Sequence, residues 1–196
     1  MTLILASASA SRRAMLNSAG VLHQSCPADV DEIGIKRVMQ DQGAPPGAIA
    51  LALAEAKAMT ISQAQQSTLV LGGDSIVVVG GRIYDKPTNR DNAAAHLRTF
   101  SGQTMTLISA AVLARGGRVA ESVVDTASLT VRPLSDAFID DYLTHEWPAI
   151  AGCVGCFRME ARGVQLFESV TGSHFTILGM PLLWVLAALR RQDCLT

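Results

Sequence analysis

The sequence predicts an α/β protein with a mixed sheet. Three observations carry that reading. Short apolar runs alternate along the chain with stretches that read as helices. Paired glycines at Gly80-Gly81 and Gly116-Gly117 separate neighbouring apolar runs, as hairpin turns do. The 196 residues are 49% apolar and 17% charged, which supplies a core without disulfides and excludes a disordered chain.

The elements follow in order. Thr2 to Ala6 is a short apolar strand. Ser9 and Ser11 are placed to cap a helix that runs to about Ser18, and Gly20 stops it. Val21 to Pro27 is a second short strand. Pro45-Pro46-Gly47 opens an Ala-rich helix reaching about Gln65, since proline suits a first helical turn and alanine is the best helix former. Thr68 to Leu71 is a buried strand leading to Gly72-Gly73-Asp74-Ser75, and Ile76 to Val79 continues it before the Gly80-Gly81 turn. Asn89 to Thr99 is helical, and Thr104 to Ala114 and Val119 to Val131 are two longer strands. Ser135 caps a helix over Asp136 to Thr144. A glycine-broken strand pair covers about Val154 to Val170, and Pro181 begins a C-terminal helix. A division would fall best near Pro133 or at Trp147-Pro148, but no linker composition marks one.

Charge and hydropathy narrow the function. A net charge of −1 provides no basic field for nucleic acid or anionic lipid, and leaves room for a local cationic pocket that takes a small nucleotide. The apolar runs Thr68 to Val79 and Thr176 to Leu189 are broken by Gly, Pro, Asp or Ser, short of the ~20 residues a spanning helix needs. In MTLILASASASRR the arginines follow the apolar run, the reverse of a secretory signal, so a cytoplasmic protein is expected. Cys153 and Cys156 have the spacing of redox and zinc sites. No second such pair exists, His145 and His174 lie at no motif spacing, and Gly152 to Phe157 does not open a helix after a strand. The pair reads as packing, the four cysteines including Cys26 and Cys194 show no spacing of an extracellular disulfide framework, and Met159 and Trp184 read as core or pocket residues.

Three segments can carry chemistry. Ser7-Ala8-Ser9-Ala10-Ser11-Arg12-Arg13 joins a strand to a helix; small residues, free N–H groups and two guanidinium forks suit phosphate oxygens. Its plainer reading is a serine cap followed by solvated arginines. Leu69 to Ser75 sets Asp74 at the end of a very apolar strand, where an acid is costly unless paired or metal-bound. Asp74 is therefore a candidate general base or magnesium ligand, or else a turn aspartate. In Tyr84-Asp85-Lys86-Pro87 the proline holds Lys86 extended, so that its ammonium can reach a phosphate or simply stay in solvent. Asp31-Glu32 reads as metal ligands or a polar loop, and Lys57 stands on the Ala-rich helix.

Taken together these segments resemble the Maf family, the septum-formation-inhibitor-like nucleotide pyrophosphatases, along nearly the whole chain. LILASASASRRAMLNSAG is similar to the family's L-I-L-A-S-x-S-P-x-R-R start. Cys26 to Glu32 resembles its D-x-D-E segment, and Ala54-Glu55-Ala56-Lys57-Ala58 its helix lysine motif. LVLGGDSIVVVGGRIYDKP is similar to its G-x-D-[TQS]…K-P signature, Ser101-Gly102-Gln103 to its S-G-x, and Gly163 with TGSHFTILGMP to its closing motif. The sequence departs from the pattern at Ala10, where the family has proline, at Met105, where it has histidine, and near Cys153, where a lysine is common.

The resemblance implies a three-layer, twisted mixed sheet flanked by helices, ITPase-like, in one domain over residues 1–196 with a cleft between two lobes. It implies cleavage of a nucleoside triphosphate between the α- and β-phosphates with a divalent cation, Mg2+ or Mn2+. On that reading Arg12, Arg13, Lys57 and Lys86 neutralise the phosphates, Glu32 and Asp74 hold the metal, and Asp74 accepts the proton. Ser7, Ser9, Ser11, Ser75, Gln103 and Glu160 then contact the substrate. The family's branches differ at the positions of Ser11, Ser75 and Glu160. Glutamate at Glu160, with the extra residue before Arg12-Arg13, is more like the branch acting on 7-methyl-GTP than the one favouring dTTP and UTP, which has glutamine. Ser11 stands where the 7-methyl-GTP branch has a large aromatic. A homodimer is compatible with the resemblance, and no nucleic acid or membrane partner is expected. The alternative is a nucleotide-binding regulator of cell division acting by protein contact.

Overall fold

The computed structural model describes residues 3–195, so Thr2 lies outside the described residues. These residues form β1 (Leu3–Leu5), α1 (Ala10–Ser18), β2 (His23–Ser25), α2 (Glu32–Asp41), α3 (Pro46–Ala64), β3 (Val70–Val79), β4 (Arg82–Tyr84) and α4 (Arg90–Phe100). Then come β5 (Thr104–Arg115), β6 (Arg118–Val131), α5 (Asp136–Glu146), a 3-10 turn over Arg162–Leu166, β7 (Phe167–Thr171), α6 (His174–Ile177) and α7 (Leu182–Arg191). The strand order is β2-β1-β3-β5-β6-β7, with β4 also paired to β3. β1 runs parallel to β2 and β3, while β3–β4 and β6–β7 are antiparallel, so the sheet is mixed as expected.

The described residues group into two compact units. The first takes the chain up to Ser75, Ile108–Asp125, and the chain from His174 onward; the second takes Ile76–Leu107 and Thr126–Ser173. The boundaries therefore fall within β3, β5 and β6 and at Ser173, not at Pro133 or Trp147-Pro148. A strand's backbone bonds to its neighbours all along its length, so one strand can serve two cores without any linker composition to reveal it.

In the first unit the period-2 alternation of a strand makes three layers. Leu3 and Leu5 face Met15 and Leu16 of α1 and Val185 and Leu189 of α7. Ile4, Ala6 and Val70 form a second cluster with Cys26 and Ile61, the latter on α3. Burying a Leu or Ile side chain in this way contributes about 1.5–3 kcal/mol. In the second unit α4 packs on α5. Tyr84, His96 and Phe100 bring their rings together there, with Tyr84–Phe100 centroids 4.8 Å apart and edge-on.

Four expectations are corrected. Asp74 is not at the end of a strand, because β3 continues through it to Val79. Gly72 within the strand allows close approach: a Cβ there would lie 2.2 Å from the Ala54 carbonyl oxygen of α3. The strand pair over Val154 to Val170 is only β7; turns and the 3-10 segment occupy the rest. Asp31-Glu32 is not a loop: Asp31 caps α2, accepting from the Gly34 N–H at 2.9 Å, and Glu32 is its first residue. Finally, Ser9 alone caps α1, accepting from the Arg12 N–H, while Ser11 lies inside the helix.

Candidate active site

The glycine pair on β3 builds the site. Without a side chain at Gly72, α3 descends onto the strand near Ala54 and Ala58, and the residue between them, Lys57, meets Asp74. Lys57 Nζ donates to Asp74 Oδ1 at 2.6 Å and lies 2.8 Å from Glu32 Oε1. The side chains of Lys57 and Asp74 are 10% and 11% exposed, that of Glu32 43%. Two carboxylates thus converge on one ammonium contributed by the middle of a long helix.

Gly73 leaves room for the second cation. A Cβ there would sit 3.2 Å from Arg12 Nε. The Arg12 side chain is buried, and its nitrogens donate to the Gly179 carbonyl at 2.8 Å, Ser7 Oγ at 3.1 Å and Ser75 Oγ at 3.0 Å. Burial pulls the Arg12 pKa below the ordinary arginine range, and the Asp74 and Glu32 carboxylates oppose that shift. Two cations and two anions therefore share one neighbourhood with no net charge.

The expected residues divide as follows. Ser7, Ser9, Arg12, Glu32, Lys57, Asp74 and Ser75 belong to this cluster or to the turn that carries it. Ser7 Oγ also accepts from the Ser9 N–H at 3.2 Å, so both serines shape the strand-to-helix turn. Arg13 is exposed and Ser11 half-buried on α1. Lys86, Gln103 and Glu160 belong to the second unit, all exposed. There Lys86, Arg158 and Glu160 act electrostatically on Cys153, whose thiol pKa is raised mainly by burial. Neither arginine near Glu160 takes it as its ion-pair partner: Arg158 donates through Nε and Nη2 to buried Glu146, and Arg162 faces Asp141. Gln103 uses its backbone, donating to the Phe100 carbonyl and accepting from the Val131 N–H.

Sequence reasoning missed Ser109, Thr176 and Gly179. Ser109 and Thr176 are fully buried polar residues, and a lone hydroxyl inside the apolar run of β5 was the available signal, because buried polar groups need partners. The packing reading of Cys156 agrees with the structure: it is fully buried, and burial pushes its thiol up to about 12.

A divalent cation would find two carboxylates here, Glu32 and Asp74. Magnesium is commonly held by one or two carboxylates, with phosphates and waters completing its shell. The donor set fits such an ion; among the described residues no three His, Cys, Asp or Glu gather as a self-sufficient cage.

The three-layer unit and its mixed-charge cluster define the class: an α/β protein with carboxylates and cations gathered on one strand and its covering helices. A family model described as Maf-like protein matches residues 2–192, and the chain belongs to that family. It is 45% identical over 188 residues to the "7-methyl-GTP pyrophosphatase" of Rhizobium meliloti (strain 1021), covering 96% of this chain and 94% of that protein. It is 42% identical over 196 residues, and 100% of both chains, to the "Nucleoside triphosphate pyrophosphatase" of Granulibacter bethesdensis. A HAM1 protein of Coxiella burnetii aligns at 13% identity and a TM-score of 0.45 over 67% of this chain and 73% of that one.

Proposed function

We propose that the protein hydrolyses nucleoside triphosphates to the monophosphate and pyrophosphate, and that 7-methyl-GTP is among its substrates. The observation that carries this reading is Lys57 held between Glu32 and Asp74 beside buried Arg12, in a chain nearly coextensive with relatives named for that activity. Lys57, Arg12, Arg13 and Lys86 bind the phosphates, and Arg12 and Lys86 neutralise charge that grows on the leaving pyrophosphate. Asp74 has one oxygen on Lys57 and uses the other to orient the attacking water and accept its proton. Glu32 and Asp74 hold Mg2+ or Mn2+, which when bound supplies Lewis-acid stabilisation of phosphate charge. Attack is in line on the α-phosphorus.

Ser11, Ser75, Gln103 and Glu160 contact the substrate on this reading, with Glu160 accepting from the guanine N1–H and N2–H edge. The substrate class suits a cytoplasmic setting. No helix among the described residues is long and apolar enough to cross a membrane. The test is direct: purified protein, magnesium, and a panel of normal and modified triphosphates, with pyrophosphate and orthophosphate measured separately. Pyrophosphate in equal amount to monophosphate is expected. Orthophosphate as the product overturns the reaction, and no product with any triphosphate favours a protein that only binds nucleotide.

A further inference from the structure

A chain of hydroxyl hydrogen bonds runs through the first unit, and its direction can be worked out. Ser109 Oγ on β5 donates to the Thr176 carbonyl at 2.9 Å. A serine hydroxyl has one proton. Either oxygen could donate in the 2.8 Å contact between Ser75 Oγ and Ser109 Oγ; with the Ser109 proton on the Thr176 carbonyl, which can only accept, Ser109 accepts there and Ser75 donates. With its proton committed to Ser109, Ser75 accepts from Arg12 Nη2 at 3.0 Å. Ser75 Oγ has a second acceptor in the Gly179 carbonyl at 3.2 Å, but that contact is longer than the one to Ser109 and the carbonyl already accepts from Arg12 Nε at 2.8 Å. The order is Arg12 to Ser75 to Ser109 to the Thr176 carbonyl.

The backbone around this chain is built to match. Thr176 donates its own hydroxyl to Asp125 of β6, and its carbonyl also accepts from the Gly179 N–H at 3.0 Å. Gly179 has φ +103, a conformation L side chains rarely adopt, and a Cβ there would approach Ser75 Oγ to 3.3 Å. Three elements, α1, β3 and β5, thus reach the corner between α6 and α7 through one side chain each.

We infer that Ser109 is a positioning residue for the proposed reaction: by taking the Ser75 proton it fixes Ser75 as an acceptor that holds the Arg12 guanidinium. This rests on the pyrophosphatase reading and revises one part of it. Ser75 has no proton left to offer a substrate, so its effect on catalysis passes through Arg12. Three of the five Arg12 N–H donors are committed to Ser7, Ser75 and Gly179, and two remain for phosphate oxygens.

The experiment compares Ser109→Ala, Ser75→Ala, the double variant and Ser109→Cys, a somewhat larger side chain that keeps one donor and a weaker acceptor. Steady-state pyrophosphate release and the thermal midpoint are measured for each. Ser109→Ala is expected to lower kcat about tenfold with KM moved less than twofold, because the held arginine acts on charge that develops in the transition state. The double variant should be no worse than the poorer single, since the two residues act in series. Ser109→Cys should fall between Ser109→Ala and the wild type. A lowered midpoint with unchanged kcat and KM overturns the inference, as does a double variant whose losses multiply.

A second readout needs no turnover. Exchange of the Arg12 Nε–H with solvent, followed by NMR, should quicken at least fivefold in Ser109→Ala and Ser75→Ala alike. Equal exchange in wild type and Ser109→Ala overturns the inference even if the enzyme proves active. An inactive wild type with quickened exchange in both variants instead overturns the pyrophosphatase reading and leaves the positioning role standing.

Discussion

Replacing Asp74 with asparagine separates chemistry from folding. Asparagine keeps a carbonyl oxygen for Lys57, so the 2.6 Å contact survives as a bond to a neutral acceptor, and Glu32 still faces the ammonium at 2.8 Å. The change loses the difference between a charge-assisted and a neutral hydrogen bond, about 1–2 kcal/mol in this nearly buried pair. For a chain of this size that lowers the midpoint by roughly 2–8 °C, leaving the protein folded at 25 °C. Turnover behaves differently. Asparagine cannot accept a proton from water, and loss of that help costs about 10²–10⁴-fold, more if a metal ligand goes with it. The assays are pyrophosphate release, the thermal midpoint, and calorimetric binding of the triphosphate, all on one preparation. Turnover should collapse while binding persists. A variant that turns over within threefold of wild type would remove Asp74 from the mechanism, and one that loses binding in step with turnover would make it a binding residue only.

Arg12→Ala should cost both activity and stability, since it strips partners from the buried Gly179, Ser7 and Ser75 contacts; a fall in midpoint of at least 5 °C together with lower kcat/KM is expected, and an unchanged midpoint would contradict the buried network. Gly72→Ala places a Cβ 2.2 Å from a backbone oxygen of α3, so it should destabilise by about 1–3 kcal/mol and lift Lys57 from Asp74; wild-type kcat would refute the close-approach argument. Glu160→Gln should lower kcat/KM for 7-methyl-GTP and GTP relative to dTTP and UTP by about ten- to a hundredfold, because half of an acceptor-only group becomes a donor facing a donor; unchanged ratios would sink the base-reading role. The Cys156 thiol, raised from 9.0 to about 12 by burial, keeps its proton in the folded state where the unfolded chain releases it. Its contribution is complete below pH 9 and is lost as pH rises from 9 toward 12, so unfolding free energy should fall by up to about 1.4 kcal/mol per pH unit there, and Cys156→Ala should flatten that slope.

What the sequence revealed follows from what each residue does locally. Short apolar runs, Ser9 and Ser135 as caps, proline at a helix start and glycine pairs at hairpins act within a few residues, so β1, α1, α3, α5 and the β5–β6 turn were readable. α2 was not, because none of its residues is fully buried, and Ile33 and Val38 are exposed. The capping aspartate Asp31 was the usable signal, and it looked equally like a metal ligand. α6, with four residues, is too short to show a period. The stretch Val154 to Ala161 looked like strand from its apolar and glycine content. There the Glu146–Arg158 ion pair and the close stacking of Gly163 on the Arg158 backbone shape turns instead, and both are contacts across sequence that composition does not encode.

The site shows the same division more sharply. Asp74 was singled out because an acid among apolar residues is expensive, and that argument holds wherever in a strand the acid sits. Its position in mid-strand strengthens the functional argument. A turn aspartate can be satisfied by solvent and neighbouring N–H groups, whereas an 11%-exposed carboxylate within β3 needs a dedicated cation, and Lys57 supplies it. Lys57 reaches it only because Gly72 has no side chain, so the glycine before the acid and the lysine seventeen residues earlier form one device. A pair that existed only for stability would gain little from a second carboxylate at 2.8 Å on the same ammonium, since Glu32 is 43% exposed and such contacts contribute at most about 1 kcal/mol. A site that must exchange partners does gain from it. On the proposed reading, with Glu32 and Asp74 both against Lys57, a bound cation would neutralise the carboxylates and a polyphosphate the ammonium, so that no buried charge would be left alone.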